Sequence, residues 1–207
     1  MLSLLNVNPA YFLLYLAALV VAITIHEFAH ARTADYLGDP TPRLQGRISL
    51  NPLRHLDLFG MVFLLFAGFG WGKPVQFDPF NLKDPRRDSA IISVAGPVSN
   101  ILLALLLAIV IRIYPTELLY PFIQFNVTLA IFNLLPIHPL DGFKIVGGIL
   151  PRDKAHEWYQ LERYGIIFLI LLILPLGQRS MLDSILGPPV HFIINILIPQ
   201  MATSGVV

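Results

Sequence analysis

The chain has 207 residues, 56% hydrophobic and 13% charged, with a net charge of +1. An average soluble domain is about 25% charged, and here the apolar residues come in continuous blocks. That composition excludes a disordered regulator and argues against both a soluble enzyme and a transmembrane β-barrel, whose strands alternate polar and apolar positions. The near-neutral charge points to no nucleic-acid partner. There is no cysteine, so any metal must be held by His, Asp or Glu. What remains is an all-α polytopic membrane protein set in a lipid bilayer.

The elements follow in chain order. A first span is predicted over 9–37. Its apolar half has no basic segment before it and reads as a mature span rather than a cleaved signal. The polar stretch 38–57 follows, and 43–50 alternates well enough to predict a short strand. Residues 58–69 are apolar but number only about twelve, too few for a helix to cross a ~30 Å core. They read as a short re-entrant helix, ending in a run (Gly68, Gly70, Gly72) that is either an edge strand for an unwound substrate segment or an interfacial turn. After the connector 71–88 come a second span over 89–113 and a third over 118–137. A short interfacial helix is expected over 143–150, then an amphipathic stretch to 163. The fourth and fifth spans are predicted over 164–176 and 182–198. The expectation is one domain, 1–207, with about five transmembrane helices, a three-span core over about 9–142 and accessory spans over about 160–199.

The basic residues orient this layout. If 58–69 does not cross, all of the fourteen Lys and Arg except Arg112 and Arg179 fall on one side. The positive-inside rule then places the chain in the cell membrane with its N-terminus outside and its C-terminus in the cytoplasm.

The chemistry concentrates in His26-Glu27-Phe28-Ala29-His30. On a helix, residues i and i+4 share a face, so both imidazoles reach one metal ion. Glu27, one position round, contacts a metal-bound water as general base. Ionisable residues in a membrane helix are costly and usually mark function. A catalytic zinc needs a third protein ligand and an open position. Asp141, just after the third span, is the first candidate; its bland alternative is a turn aspartate. His138 is the rival.

Several segments resemble the site-2 protease family of intramembrane zinc metalloproteases, in that family's order over about residues 20–142. His26–His30 resembles its HExxH helix. Asn133-Leu134-Leu135-Pro136-Ile137-His138-Pro139-Leu140-Asp141-Gly142 resembles its NxxPxxPLDG element, and Gly46-Arg47-Ile48-Ser49-Leu50-Asn51-Pro52 its GR(hydrophobic)(S/T)LNP segment. Gly70-Trp71-Gly72-Lys73-Pro74-Val75 and Ala95-Gly96-Pro97-Val98-Ser99-Asn100 resemble recurrent pieces of the bacterial branch. The resemblance implies one zinc per chain on His26, His30 and Asp141, with Glu27 as base. It also implies a role for Asn133 in substrate binding or at the polarised carbonyl, for which an amide donor is suited. It points to a small member without PDZ or CBS domains, whose substrate is a transmembrane protein or peptide cut within or next to its span. Relatives act in regulated intramembrane proteolysis or clear signal-peptide remnants. Asn100, His55 and His138 are weaker candidates for supporting the ligands or facing substrate; His55 reads more simply as a surface histidine. Two other classes use the same residues: a divalent-metal transporter and an inactive scaffold that binds helices. The oligomeric state is not legible.

Overall fold

The computed structural model describes residues 8–67, 70–174 and 180–198. The described residues are all-helical, without a strand. The helices are α1 (Pro9–Tyr36), α2 (Thr41–Leu44), α3 (Leu58–Ala67), α4 (Pro85–Ile113), α5 (Tyr120–Asn133), α6 (Asp141–Ile149), α7 (Arg152–Tyr159), α8 (Glu162–Ile173) and α9 (Met181–Leu197).

Local chemistry starts the two long helices. The Asn8 side chain accepts from the backbone N–H of Ala10 and Tyr11, with Pro9 in the first turn of α1. Asp84 accepts from Arg87 N–H, with Pro85 opening α4. A side-chain oxygen satisfies an orphan donor, and a proline loses none it needed. At 28 and 29 residues, α1 and α4 are each about 42 Å long. Both are long and apolar enough to cross a membrane.

Helix α1 packs on α4 and α5, and α4 also packs on α5 and α6. The contact faces use small residues: Ala18, Ala22, Ala104 and Ala130 are fully buried. Small side chains let helix backbones approach where lipid gives no hydrophobic drive to associate. Helix α9 closes the far side, where Val190 and Ile194 meet Ala108, Ile123 and Val127. The outward faces are apolar too: Leu102, Leu105, Leu106 and Ile109 on α4 and Ile166, Ile167, Phe168 and Ile170 on α8 are exposed.

Two expectations change. The predicted strand over 43–50 is instead helix α2 followed by a turn. Pro42 sits in the first turn of α2, and Gly46, at φ +66°, reverses the chain. Extended pairing occurs elsewhere, as an isolated antiparallel bridge between Leu56 and Gly72, with Lys73 N–H donating to the His55 carbonyl at 2.7 Å. The five-span expectation is met only in part. Helices α5, α8 and α9 have 14, 12 and 17 residues, shorter than α1 and α4. Segment 58–67 is a ten-residue helix, about 15 Å long and too short to cross. Gly68, Phe69, the end of the expected fourth span and Arg179 lie outside the described residues.

Candidate functional site

His26 and His30 lie one turn apart on α1 and are buried among α4 and α6. Their Nε2 atoms are 3.0 Å apart. Asp141, the first residue of α6, brings Oδ2 to 3.1 Å from His26 Nε2 and 3.2 Å from His30 Nε2. Residues 115 positions apart thus converge on one point. A tetrahedral zinc with ligands at about 2.0–2.1 Å sets neighbouring ligand atoms roughly 3.3 Å apart, close to the spacing of this triangle.

Hydrogen bonds behind the rings fix which atoms face inward. The Asn100 amide donates from Nδ2 to the Ala22 carbonyl at 3.0 Å and to Asn126 Oδ1 at 2.7 Å. Its Oδ1 therefore faces His26 Nδ1, 2.6 Å away, and can only accept. His30 Nδ1 faces the Ile92 carbonyl at 2.7 Å, which also only accepts. Both Nδ1 atoms therefore carry a hydrogen, which leaves each neutral ring with a bare lone pair at Nε2. Two such lone pairs and a carboxylate oxygen, about 3 Å from one another, repel unless a cation or proton lies between them. The donor set fits a metal ion, with the imidazole tautomers fixed by a hydrogen-bonded outer layer.

Two glycines make the convergence possible. A Cβ on Gly96 of α4 would lie 2.4 Å from His30 Nε2 and 2.7 Å from His26 Cε1. A Cβ on Gly142 would lie 2.3 Å from the Leu134 carbonyl oxygen, so the turn carrying Asp141 closes only around a glycine.

Glu27 points to a different neighbour. Its Oε2 accepts from the Val75 backbone N–H at 2.8 Å, on the connector between α3 and α4. That connector is held from below. The Arg47 guanidinium, 4% exposed, donates to the carbonyls of Arg54 and Lys73. Farther along, Asp39 accepts from Asp78 N–H at 2.7 Å and from Asn81 Nδ2 at 2.8 Å.

The remaining sequence candidates fall in different places. Asn100 directly supports His26. His55 is not a surface residue: it is fully buried, and Nε2 donates to the Ser49 carbonyl at 2.6 Å. Burial holds its imidazole below the ordinary histidine value, so it is a neutral strut beneath the connector. His138 leaves the triangle, its Nδ1 lying 3.6 Å from Glu162. Asn133 turns back on its own helix, donating to the Leu129 carbonyl at 3.0 Å. Asn126 is the residue the sequence reading missed. It is fully buried and completes the relay from Asn100, and an amide inside an apolar helix was its only signal.

An HExxH helix with an acidic third neighbour, set in an apolar helical bundle, makes this chain a metallohydrolase by class. Comparison with known proteins narrows the class. The profile of Peptidase family M50 matches residues 14–116 and 112–174. "Putative zinc metalloprotease YwhC" of Bacillus subtilis (strain 168) is 42% identical over 175 residues, covering 77% of this chain and 80% of that protein. "Putative zinc metalloprotease Rip2" of Mycolicibacterium smegmatis is 31% identical over 182 residues, covering 81% of this chain and 70% of that protein. Rip2 of Mycobacterium tuberculosis H37Rv is 30% identical over 176 residues, covering 79% and 67%. No solved structure matches the chain. The chain belongs to peptidase family M50, the membrane-embedded site-2 protease family of metalloproteases.

Proposed function

We propose that this protein is an intramembrane zinc endopeptidase that cuts a peptide bond within or beside a transmembrane helix of another membrane protein, in regulated proteolysis or in clearing signal-peptide remnants. The observation that carries the reading is the acceptor-only triangle of His26, His30 and Asp141 with Glu27 one position round the same helix. The names of the relatives support zinc as the metal.

In this reading His26, His30 and Asp141 hold one zinc ion and leave a position open for water. When bound, the ion supplies the Lewis acidity that acidifies water and polarises a carbonyl. Glu27 takes the proton of the attacking water. It delivers that proton to the leaving amine nitrogen as the C–N bond breaks. Val75 N–H holds Oε2 and so fixes where the other carboxylate oxygen points. Asn100 keeps the His26 ring in its working tautomer. Asn133, once its amide turns from Leu129, donates to the oxyanion of the tetrahedral intermediate. A helical peptide carbonyl is already hydrogen-bonded, so the substrate must unwind locally, and helix-breaking residues near the bond promote cutting.

The proposed setting is the cell membrane, multi-pass, with the N-terminus outside, the C-terminus in the cytoplasm and the apolar segments 118–137, 164–176 and 182–198 as further spans. Residues 9–142 form the core and 160–199 accessory helices.

The test is cleavage of single-span substrates by purified wild type and Glu27→Gln in detergent. Wild type should cut inside or beside the span, and Glu27→Gln should bind zinc equally but cut at least a hundredfold more slowly, since the base contributes about 10²–10⁴. Comparable cutting by Glu27→Gln would overturn the assignment.

A further inference from the structure

A cavity of about 1100 Å³ is lined not by His26, Glu27, His30 or Asp141 themselves but by residues next to them, Val75, which holds Glu27, and Pro139, two positions before Asp141. One wall is the connector that holds Glu27, at Val75 and Phe77; another is the turn before Asp141, at His138 and Pro139; Arg152 and Tyr159 line it from α7. Lys144, one turn after Asp141 on α6, also lines it, its Nζ 4.5 Å from the centre of the Phe77 ring. Neither Asp141 nor Glu27 is available to it as a counter-ion: the first belongs to the metal triangle and the second to Val75. Glu162 lies toward His138. Among the described residues no carboxylate comes within 4.0 Å of Lys144. The two acids lining the cavity are engaged elsewhere, Asp78 accepting from Phe80 N–H at 2.9 Å and Asp84 from Arg87 N–H at 3.1 Å. Arg86 is committed to the Leu150 carbonyl. Burial pushes the Lys144 ammonium below the ordinary lysine value, and the attraction of the Asp141, Glu162 and Glu27 carboxylates, none of them paired with it, offsets that only in part.

We propose that this cavity is a substrate subsite that receives an acidic side chain from the cytoplasmic flank of the cut segment, with Lys144 as its counter-ion and specificity-determining residue. The proposal rests on the protease reading and names the class of substrate. Cytoplasmic flanks of membrane proteins are rich in Lys and Arg. A half-buried cation beside the scissile position repels those flanks and admits the minority that carry Asp or Glu there. Discrimination then comes from repulsion as much as attraction.

The test uses single-span substrates that differ only in carrying Glu, Gln or Lys at successive positions just cytoplasmic of the span. Cleavage is measured with wild type, Lys144→Gln and the charge-reversed Lys144→Glu. Binding is measured separately, by fluorescence anisotropy of the labelled substrates on the Glu27→Gln protein with and without each Lys144 change. At one of these positions, wild type should favour Glu over Gln by about tenfold in kcat/KM, the scale of one charge-assisted hydrogen bond. Lys144→Gln should bring that ratio near one, and Lys144→Glu should invert it in favour of the Lys substrate. The inversion also shows that the variant is folded. Wild-type cutting without a charge preference, or a preference that survives in both variants, would overturn the subsite and leave the protease standing. A Glu preference in binding, lost with Lys144 but accompanied by no wild-type cleavage, would keep the subsite and overturn the protease.

Discussion

At the scale of single residues, the centre depends on what is small and on what points inward. Gly96 leaves the space that the two imidazoles fill, because any Cβ there would press on His30 Nε2 at 2.4 Å. His30 cannot easily yield, since its other nitrogen is held by the Ile92 carbonyl at 2.7 Å. Gly96→Ala should therefore keep its helix, where alanine is the better helix former, yet lose metal. Zinc affinity measured by competition with a chelator should fall at least tenfold, the usual scale for disturbing the groups behind a metal ligand. Unchanged affinity would show that the rings have room the structure denies them. His26, Glu27 and His30 were legible in the sequence because their relation is local, fixed by one helix turn. Asp141 was legible as a candidate but left His138 as a rival, because spacing along the chain does not say which of two neighbours turns inward. Gly96 and Val75 lie in segments that resemble the family and Asn126 is an amide in an apolar helix, but their roles act through contacts between distant elements, which no local pattern specifies.

At the scale of elements, the connector between α3 and α4 matters most, since it carries the donor to Glu27. It is tied down at Lys73 by Arg47 and His55, and at Asp78 by Asp39. Burial of Asp39 raises its pKa, but hydrogen bonds from the Thr41 hydroxyl, the Asn81 amide and the backbone N–H of Thr41 and Asp78 outweigh that and hold it below the ordinary carboxylate value. A carboxyl group with a lowered folded-state pKa stabilises above its unfolded value and loses that contribution as pH falls through the folded one. Asp39→Asn places an amide donor against one of these donors and should cost about 2 kcal/mol at neutral pH. The gap in thermal unfolding temperature between wild type and variant should shrink as pH drops below 3.8, the ordinary value. A gap independent of pH would contradict the ionised form as the clamp. The helices themselves were mostly legible, from apolar runs bounded by Pro, Asp and Asn. The expected strand over 43–50 was not, because alternation over eight residues is weaker than a proline in a first turn and a glycine at φ +66°.

At the scale of the whole molecule, the packing is turned inside out relative to a soluble domain. Alanines fill the helix contacts, large aliphatic side chains face outward, and within the α1–α4–α5 packing one connected polar set runs from Asn126 through Asn100 to His26. An unpaired polar group in apolar surroundings costs several kcal/mol, and here every member of that set has a partner. The class of fold was legible from composition. The number of crossings was not, because α5, α8 and α9 are shorter than the apolar runs that suggested them. On the proposed reading, the polar set around His26 holds a metal on His26, His30 and Asp141. Metal analysis with zinc-edge X-ray absorption of the purified chain tests it most directly. One zinc per chain is expected, bound by two imidazole nitrogens and by oxygen at about 2.0–2.1 Å, and lost in both His30→Ala and Asp141→Ala. A zinc whose surroundings are unchanged in those variants, or a metal-free chain that still cuts its substrate, would contradict it.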